Sequence, residues 1–306
     1  MRLDSLTLRQ LRSLRSVADN GSLTAAAGQL GLTPPAVHSQ LKALDDLAGC
    51  ALLERTDQGV FRPTAEGQAL LSAHARIQTA LDRASRQISA LRHGQIGSVT
   101  LGVVSTGKYF APGLVARLLR RLPEIDVTLR IGNRDTIISS LAGDELDLVI
   151  MGRPPREPAV TADSIGPHPH IIIAPPDHLL ADADPVMPGD LLGQTFLSRE
   201  EGSGSRILMT RFLDRIGEGL PWRAVDMGTN ETIKQAVIAG LGIALISQHT
   251  VTEELRAGRL VALRAIGLPI QRSWYLMHRS NRQMNPATTR IHAEILSMRG
   301  SFLPVV

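Results

Sequence analysis

Apolar residues recur at helical spacing through the first fifty positions, whereas beyond position 97 they fall in short β-branched runs separated by helical stretches. Leu8, Leu11, Leu14 and Val17 predict a helix over residues 7–20. Ala25, Ala26 and Leu30 predict a second short helix, opened by Ser22 after Gly21 and closed by a turn at Gly31-Leu32. Val37, Leu41, Leu44 and Ala48 predict a third, which Thr33 is expected to cap and Pro34 to enter at a position where a missing N–H costs nothing. Residues 52–55 and 60–62 flank Thr56-Asp57-Gln58-Gly59 and predict a β-hairpin.

The pattern then lengthens. Between residues 64 and 92 there is no proline and, after Gly67, no glycine. Leu70, His74, Ile77, Leu81, Ala84, Ile88 and Leu91 are spaced 4, 3, 4, 3, 4 and 3, a heptad seam that predicts one helix roughly 40 Å long pairing with a second copy. Residues 93–97 read as a hinge. Strands are expected at 99–104, 127–131 and 146–151, with helices at 109–122 and 135–142 between them, which is a βαβαβ unit with a parallel sheet. A second set follows, with strands at 170–174, 195–198, 224–227 and 242–247 and helices at 205–216 and 231–239. A strand at 273–279 and a helix after Pro286 close the chain. Crossings near 154–166 and 267–272 suggest two lobes joined by two strands. The expected division is a three-helix domain with its hairpin at 1–65, a pairing helix at 66–93 and a two-lobed domain at 94–306; lobe I takes about 97–163 and 270–306, lobe II about 164–269.

The chemistry follows from this layout. Small alanines let two helices cross closely, and a third helix with a polar outer face fits a DNA major groove. An αα-hairpin that only packs a core is the competing reading; the hairpin after it favours a winged helix-turn-helix. DNA contacts are expected from Ser22 and Thr24, from Thr33, Pro34, Pro35, His38, Ser39 and Lys42, and from the wing arginines Arg55 and Arg62. In the two-lobed domain a ligand is expected between the lobes, where strand ends meet helix N-termini. Three turns offer hydroxyls and free N–H groups: Ser105, Thr106, Gly107 and Lys108; Ser203, Gly204, Ser205 and Arg206; Asn230, Glu231 and Thr232. Asn133-Arg134 and Gly152-Arg153 end two strands of lobe I. Helix N-termini converging with cations favour an anion.

The phrase Ala25-Ala26, Leu30, Thr33, Pro35-Ala36-Val37, Leu44, Gly49, Leu52, Arg55, then Pro63-Thr64-Ala65-Glu66-Gly67, resembles the LysR-type transcriptional regulators, and the resemblance continues to the C-terminus. It implies a periplasmic-binding-protein-like effector domain and a cytoplasmic bacterial regulator that binds promoter DNA as a dimer or tetramer and contacts RNA polymerase. That family usually has Gln at the position of Pro34, Ser at His38, Glu at Asp45 and Phe at Leu53, so base preference does not carry over: proline cannot hydrogen-bond an adenine edge. Longer strings, Gly102 to Pro112, Ile150 to Pro155, His168 to His178 and Asn230 to Val237, are similar to the subgroup that activates the RuBisCO operon. The similarity implies an effector such as ribulose bisphosphate, phosphoenolpyruvate, phosphoglycolate, NADPH or ATP, with no resident cofactor. A regulator of another operon with a carboxylate effector is the alternative.

Composition agrees with this picture and adds one surprise. The 306 residues are 43% hydrophobic and 20% charged, with a net charge of +4. Residues 1–65 nevertheless hold seven Arg/Lys against six Asp/Glu, so DNA affinity must come from charge placement and from having two copies. No secretory segment or long apolar run is present, and the single cysteine, Cys50, excludes an internal disulfide and is expected to pack under the third helix. Gly202-Ser203-Gly204-Ser205 lacks the Gly-Lys-Ser/Thr ending of a phosphate-binding loop. His168, His170 and His178 have no neighbouring cysteine and are not read as a metal site, and no Ser or Cys has a recognisable base partner. A solute-binding protein or an enzyme on the two-lobed scaffold are therefore the weaker readings.

Overall fold

The computed structural model describes residues 5–93 and 97–305, the side chains of 90–93 excepted; residues 94–96 of the expected 93–97 hinge and the side chain of Leu91 lie outside the described residues. The chain forms two compact units, residues 1–85 and 86–306.

In the first unit, helix α1 (Leu8–Asn20) opens with a reciprocal capping box between Thr7 and Gln10, and α2 (Leu23–Leu30) with the Ser22 hydroxyl accepting from Ala25 N–H. Helix α3 (Pro34–Ala48) has Thr33 at its N-cap with extended backbone, but the threonine side chain makes no capping bond, unlike the expectation; Pro34 occupies the first turn. Leu11, Leu14, Val17, Ala26, Ala27, Val37, Leu41 and Leu44 form the core. Two buried serines of α1 are satisfied across helices, Ser13 donating to Gln40 at 2.6 Å and Ser16 to Gln29 at 2.7 Å, which fixes how α2 and α3 cross α1. Strands β1 (Leu53–Arg55) and β2 (Phe61–Pro63) pair antiparallel as the wing. Phe61 N–H donates to Gly21 O at 2.9 Å, tying the wing to the α1–α2 turn. Helix α4 (Ala65–His93) then begins, and a Cβ on Gly67 would stand 1.9 Å from Leu52 O, so only glycine permits this approach. Cys50 is exposed, not packed beneath α3. The loop it occupies is instead held by Asp45, which accepts from Leu52 N–H at 3.0 Å and is half-buried, not on the outer face.

The second unit contains three sheets, of five, three and two strands. Strands β3 (Gly97–Val104), β4 (Ile125–Gly132) and β5 (Leu148–Met151) are parallel, connected by α5 (Ala111–Arg121) and α6 (Arg134–Ala142). Strand β6 (Val160–Pro167) joins the same sheet through β12 (Ser273–Arg279), giving the order β4-β3-β5-β12-β6. The sequence missed β6. Only Ile165 of its eight residues is buried, so no apolar run marks it, and the lobe boundary expected at 163/164 cuts through it. The chain crosses between sheets at His168-Pro169 and returns at 270–272; His168 N–H donates to Arg272 O at 2.7 Å, and His170 and Ile270 exchange backbone bonds at 3.0 and 2.8 Å.

In lobe II, β7 (His170–Ala174) lies between β10 (Ala244–Ser247) and β11 (Val261–Leu263), both antiparallel to it. Strands β8 (Thr195–Ser198) and β9 (Arg223–Asp226) are parallel, and a Phe196–Ile243 bridge links them to the β10 side. Helices α8 (Gly204–Gly217) and α9 (Asn230–Ile238) cover opposite faces, with Met209, Phe212 and Leu213 in one core and Ile233 and Val237 in the other. Short α7 (Pro188–Leu192), α10 (Thr252–Arg256) and the last helix α11 (Pro286–Ser297) complete the fold.

Candidate functional site

Two surfaces concentrate the residues singled out above. On the first unit, Val37, Leu41 and Leu44 point α3 into the core, and His38, Ser39 and Lys42 are left exposed one helical face away. Thr33, Pro34, Pro35 and Thr24 are exposed as well, Ser22 half-buried as a cap. Arg55 and Arg62 are exposed on the wing; Arg55 Nε donates to Gly59 O at 3.1 Å and its guanidinium sits 5.8 Å from the Phe61 ring centroid. Part of Arg55 thus braces the wing turn.

On α4 the expected seam divides in two. Leu70 and Leu71 pack on the helix-turn-helix core and His74 is buried there, where desolvation and then Arg15 and Arg12 hold its imidazole below the usual range. Ala84 and the apolar Ile77, Leu81 and Ile88 are exposed, the last at 57%.

The second surface is a cavity of about 330 Å³ between the lobes of the second unit. Of the expected effector residues, Ser105, Thr106, Arg153, Ser203, Gly204 and Ser205 line it. The others do not. Gly107 is buried against Val103, Asn133 caps α6 through Thr136 N–H, and Arg206 is turned to Asp226 at 2.6 Å. Thr232 N–H closes the α9 cap with Thr229. Glu231 accepts from Tyr109 OH at 2.5 Å and pairs with Lys108 at 3.5 Å and Lys234 at 3.1 Å, a clasp between the lobes on a different rim. Asn230 is buried beneath the cavity wall, its Oδ1 accepting from Arg199.

Arg134 and Arg153, both at expected strand ends, line the cavity, and Arg156, Arg199, Arg211 and Arg272, which sequence reasoning left out, join them and make the site cationic. Arg199 is matched: it is buried and grips Glu200 with two bonds at 2.7 and 2.8 Å while donating to Ser105 Oγ at 3.2 Å. Burial works against ionised Glu200, but the Arg199 bonds outweigh it and hold that carboxyl below the usual range. Among the described residues, no carboxylate lies within 4.0 Å of Arg134, Arg153, Arg156, Arg211 or Arg272; Arg134 Nη1 instead donates to Arg153 O at 2.7 Å. Burial and then Arg153 pull the guanidinium of Arg134 below its ordinary range, and burial, Arg153 and Arg211 do the same to Arg272. Burial, reinforced by repulsion among the arginines, thus disfavours these cations in a cleft that also receives the N-terminus of the fourteen-residue α8, where Ser203 makes no capping bond to its own helix. An anion relieves both. The missed Arg211 was legible in principle: Gly204, Ile207, Leu208 and Arg211 follow the i, i+3, i+4, i+7 face of α8. His168 and His170 also line the cavity, whereas His178 lies in a loop, its Nδ1 accepting from Leu180 N–H. Among the described residues, no group of three His, Cys, Asp or Glu could hold a metal ion, and no helix is long and apolar enough to cross a membrane.

A helix-turn-helix with a wing, followed by a two-lobed α/β unit with an arginine-lined cleft, is the architecture of a ligand-responsive transcription regulator. Residues 8–68 match the bacterial regulatory helix-turn-helix protein family lysR, and residues 92–298 match the LysR substrate binding domain. The chain belongs to the LysR family of DNA-binding transcriptional regulators, which act with small-molecule effectors. It is 53% identical over 305 residues to the HTH-type transcriptional regulator CbbR of Cereibacter sphaeroides, covering 99% of this chain and 98% of that one. It is 37% identical over 292 residues to the RuBisCO operon transcriptional regulator of Allochromatium vinosum, covering 95% and 96%. Among solved structures, the regulatory domain of CcmR from Synechocystis PCC6803, in complex with 2-PG, is 31% identical with a TM-score of 0.63, covering 66% of this chain and 97% of that domain. The full-length LysR regulator CbnR complexed with its target DNA has a TM-score of 0.74 at 21% identity, covering 96% and 99%, and shows the fold.

Proposed function

We propose that this chain regulates carbon-fixation genes in the bacterial cytoplasm, and that a small phosphorylated anion bound between the lobes modulates its hold on promoter DNA. Relatives named for the RuBisCO operon support the choice of genes. The observation that carries the effector class is the set of five cleft arginines without a carboxylate partner among the described residues, around the free N-terminus of α8. In this reading the DNA-binding domain is residues 1–65, with Thr33 to Lys42 reading bases and Arg55 and Arg62 meeting phosphates. Residues 66–93 pair two copies through Ile77, Leu81 and Ile88, and dimers associate further into tetramers that present the promoter to RNA polymerase. The target then contains an inverted repeat, because paired recognition helices sit a fixed distance apart. The protein is a switch and not an enzyme: binding shifts the lobes' equilibrium by its differential affinity for their arrangements.

The test is a thermal-shift titration of the full-length protein with ribulose bisphosphate, phosphoenolpyruvate, phosphoglycolate, NADPH and ATP. An effector at a hundred times its dissociation constant adds about 2.7 kcal/mol. Arg272→Ala should remove that gain while leaving promoter binding without effector intact. Stabilisation by none of the five, or equal stabilisation of the variant, would overturn the assignment.

A further inference from the structure

The chain uses arginine thirty times and lysine three times, yet two of its three lysines, Lys108 and Lys234, meet at one place between the lobes. Both ammonium groups pair with Glu231, Lys108 at 3.5 Å and Lys234 at 3.1 Å. Both also stand over the Tyr109 ring, 5.1 and 4.8 Å from its centroid. The Tyr109 hydroxyl closes the group by donating to Glu231 Oε1 at 2.5 Å. Lysine suits this place, because a compact ammonium serves a ring face and a carboxylate at once, whereas a planar guanidinium is matched to a two-pronged partner. Lys234 is buried and pairs as well with buried Glu254 at 3.0 Å, so lobe II presents an ordered socket to a tyrosine of lobe I.

The protonation states support the bond. Burial first, then the bond to Glu231, lift the Tyr109 phenol well above its usual range. Burial works against ionised Glu231, but the bonds from Tyr109 and Lys234 outweigh it and hold that carboxyl below its own range. Donor and acceptor therefore keep their roles at neutral pH.

Clasp and cleft share one piece of backbone. Tyr109 ends the 3₁₀ turn Ser105–Tyr109, whose first two residues line the cavity. At the other end of the turn, Ser105 Oγ accepts from Arg199 at 3.2 Å, and Arg199 also donates to Asn230, the residue before Glu231 at the start of α9. Lobe II thus grips the turn at both ends. The turn is short and its Gly107 is buried against Val103, so it moves as one piece: drawing Ser105 away from Arg199 pulls Tyr109 off Glu231. Neither Tyr109 nor Glu231 lines the cavity.

We infer that Tyr109 and Glu231 are positioning residues of the effector cleft: their bond, flanked by two lysines, holds Ser105 and Thr106 against the lobe II wall and so sets the affinity for the anion without touching it. The inference rests on the anion reading of the cleft given above. A ligand that binds the arrangement seen here loses apparent affinity in proportion to the fraction of molecules in which the clasp is open. The relation is reciprocal, so a bound anion tightens the clasp in return.

Tyr109→Phe keeps the ring over both ammonium groups and removes only the hydroxyl, and Lys108→Gln removes one ammonium from a side chain 34% exposed. Calorimetric titration of the full-length variants, their folding checked by circular dichroism, should show phosphoglycolate binding about fivefold more weakly than in the native protein. Hydrogen exchange read by mass spectrometry separates a clasp from a local defect. A change confined to lobe I would speed exchange at residues 105–110 alone, whereas Tyr109→Phe should speed it in α9 of lobe II as well, and phosphoglycolate should slow both segments in the native protein. Unchanged or tighter binding in either variant, or exchange in α9 indifferent to Tyr109→Phe, would overturn the inference. If the native protein binds phosphoglycolate and the variants match it, the inference alone falls; if the native protein binds neither phosphoglycolate nor inorganic phosphate, the anion reading falls with it.

Discussion

The two wing arginines look alike in the sequence, yet the structure gives Arg55 a second task. Its Nε is engaged by Gly59 O, and the remaining guanidinium nitrogens stand near an exposed turn. A phosphate contact from such a side chain carries no base information. Arg55→Ala is expected to weaken binding to all DNA sequences alike and to lower the slope of log affinity against log salt by about one unit, measured by fluorescence anisotropy across a salt series. His38→Ala, on the exposed face of α3, should instead alter preference among operator variants; an effect spread evenly over all sequences would move His38 off the bases. Gly67 closes the family-resembling phrase Pro63 to Gly67, but helical periodicity gives no reason for it, since a lone glycine early in a helix reads as a mild defect. Its value is spatial. With Leu52 O at 1.9 Å from where a Cβ would stand, Gly67→Ala must push α4 off the wing, at a cost of about 2 kcal/mol or more. Urea denaturation of the variant followed by far-UV circular dichroism gives that number directly.

At the scale of elements, most of the fold was readable because helices and buried strands advertise themselves through apolar periodicity. The strands expected at 170–174, 195–198 and 273–279 coincide with β7, β8 and β12, and α1, α6, α8 and α9 fall within a residue or so of expectation. What escaped was structure without a buried face: β6 with one buried side chain, three-residue β11, and short α7 and α10. The cleft was half legible for a related reason. Of the residues the turns named, Ser105, Thr106, Ser203, Gly204 and Ser205 line the cavity, but Lys108 and Arg206 were chosen for their charge, and both have acidic partners that draw them away. Charge in sequence does not show its partner; Arg272, in a crossing segment with no element to flag it, does reach the cleft. The heptad of α4 carries the same lesson. Its first turns bury Leu70 and His74 within their own unit, leaving Ile77, Leu81 and Ile88 as an apolar stripe exposed among the described residues. Leu81→Asp should halve the mass seen by light scattering while circular dichroism stays unchanged. A variant of undiminished mass would relocate the pairing surface.

At the scale of the whole molecule, the crossing between the lobes couples acidity, ligand and stability. His168, His170 and His249 are buried beside one another and beside Trp274. Burial, outweighing the carbonyl of His168 that favours the charged form, brings His170 down to about 4, and burial alone brings His249 to about 4. In the unfolded chain these groups titrate near 6.5. Between pH 6.5 and 4 the unfolded state therefore binds more protons, so the stability they contribute is complete above pH 6.5 and is lost as pH falls toward 4. For His170 alone the loss between pH 7 and pH 5 is about 2 kcal/mol. Glu200 and Glu231, held below the usual carboxylate range, are lost in the same direction but only at lower pH. The chain's two tryptophans, Trp222 and Trp274, both lie in the second unit, so their fluorescence reports its urea midpoint selectively. An anion in the cleft faces His168 and His170 directly and stabilises their protonated forms, raising both folded values toward 6.5. Sulfate, whose charge is constant over this range, should accordingly shrink the fall in midpoint between pH 7 and 5, beyond its general stabilising effect, which is the same at both pH values. Parallel midpoint curves with and without sulfate would separate the histidines from the anion and break the coupling drawn between the cleft and the crossing strands.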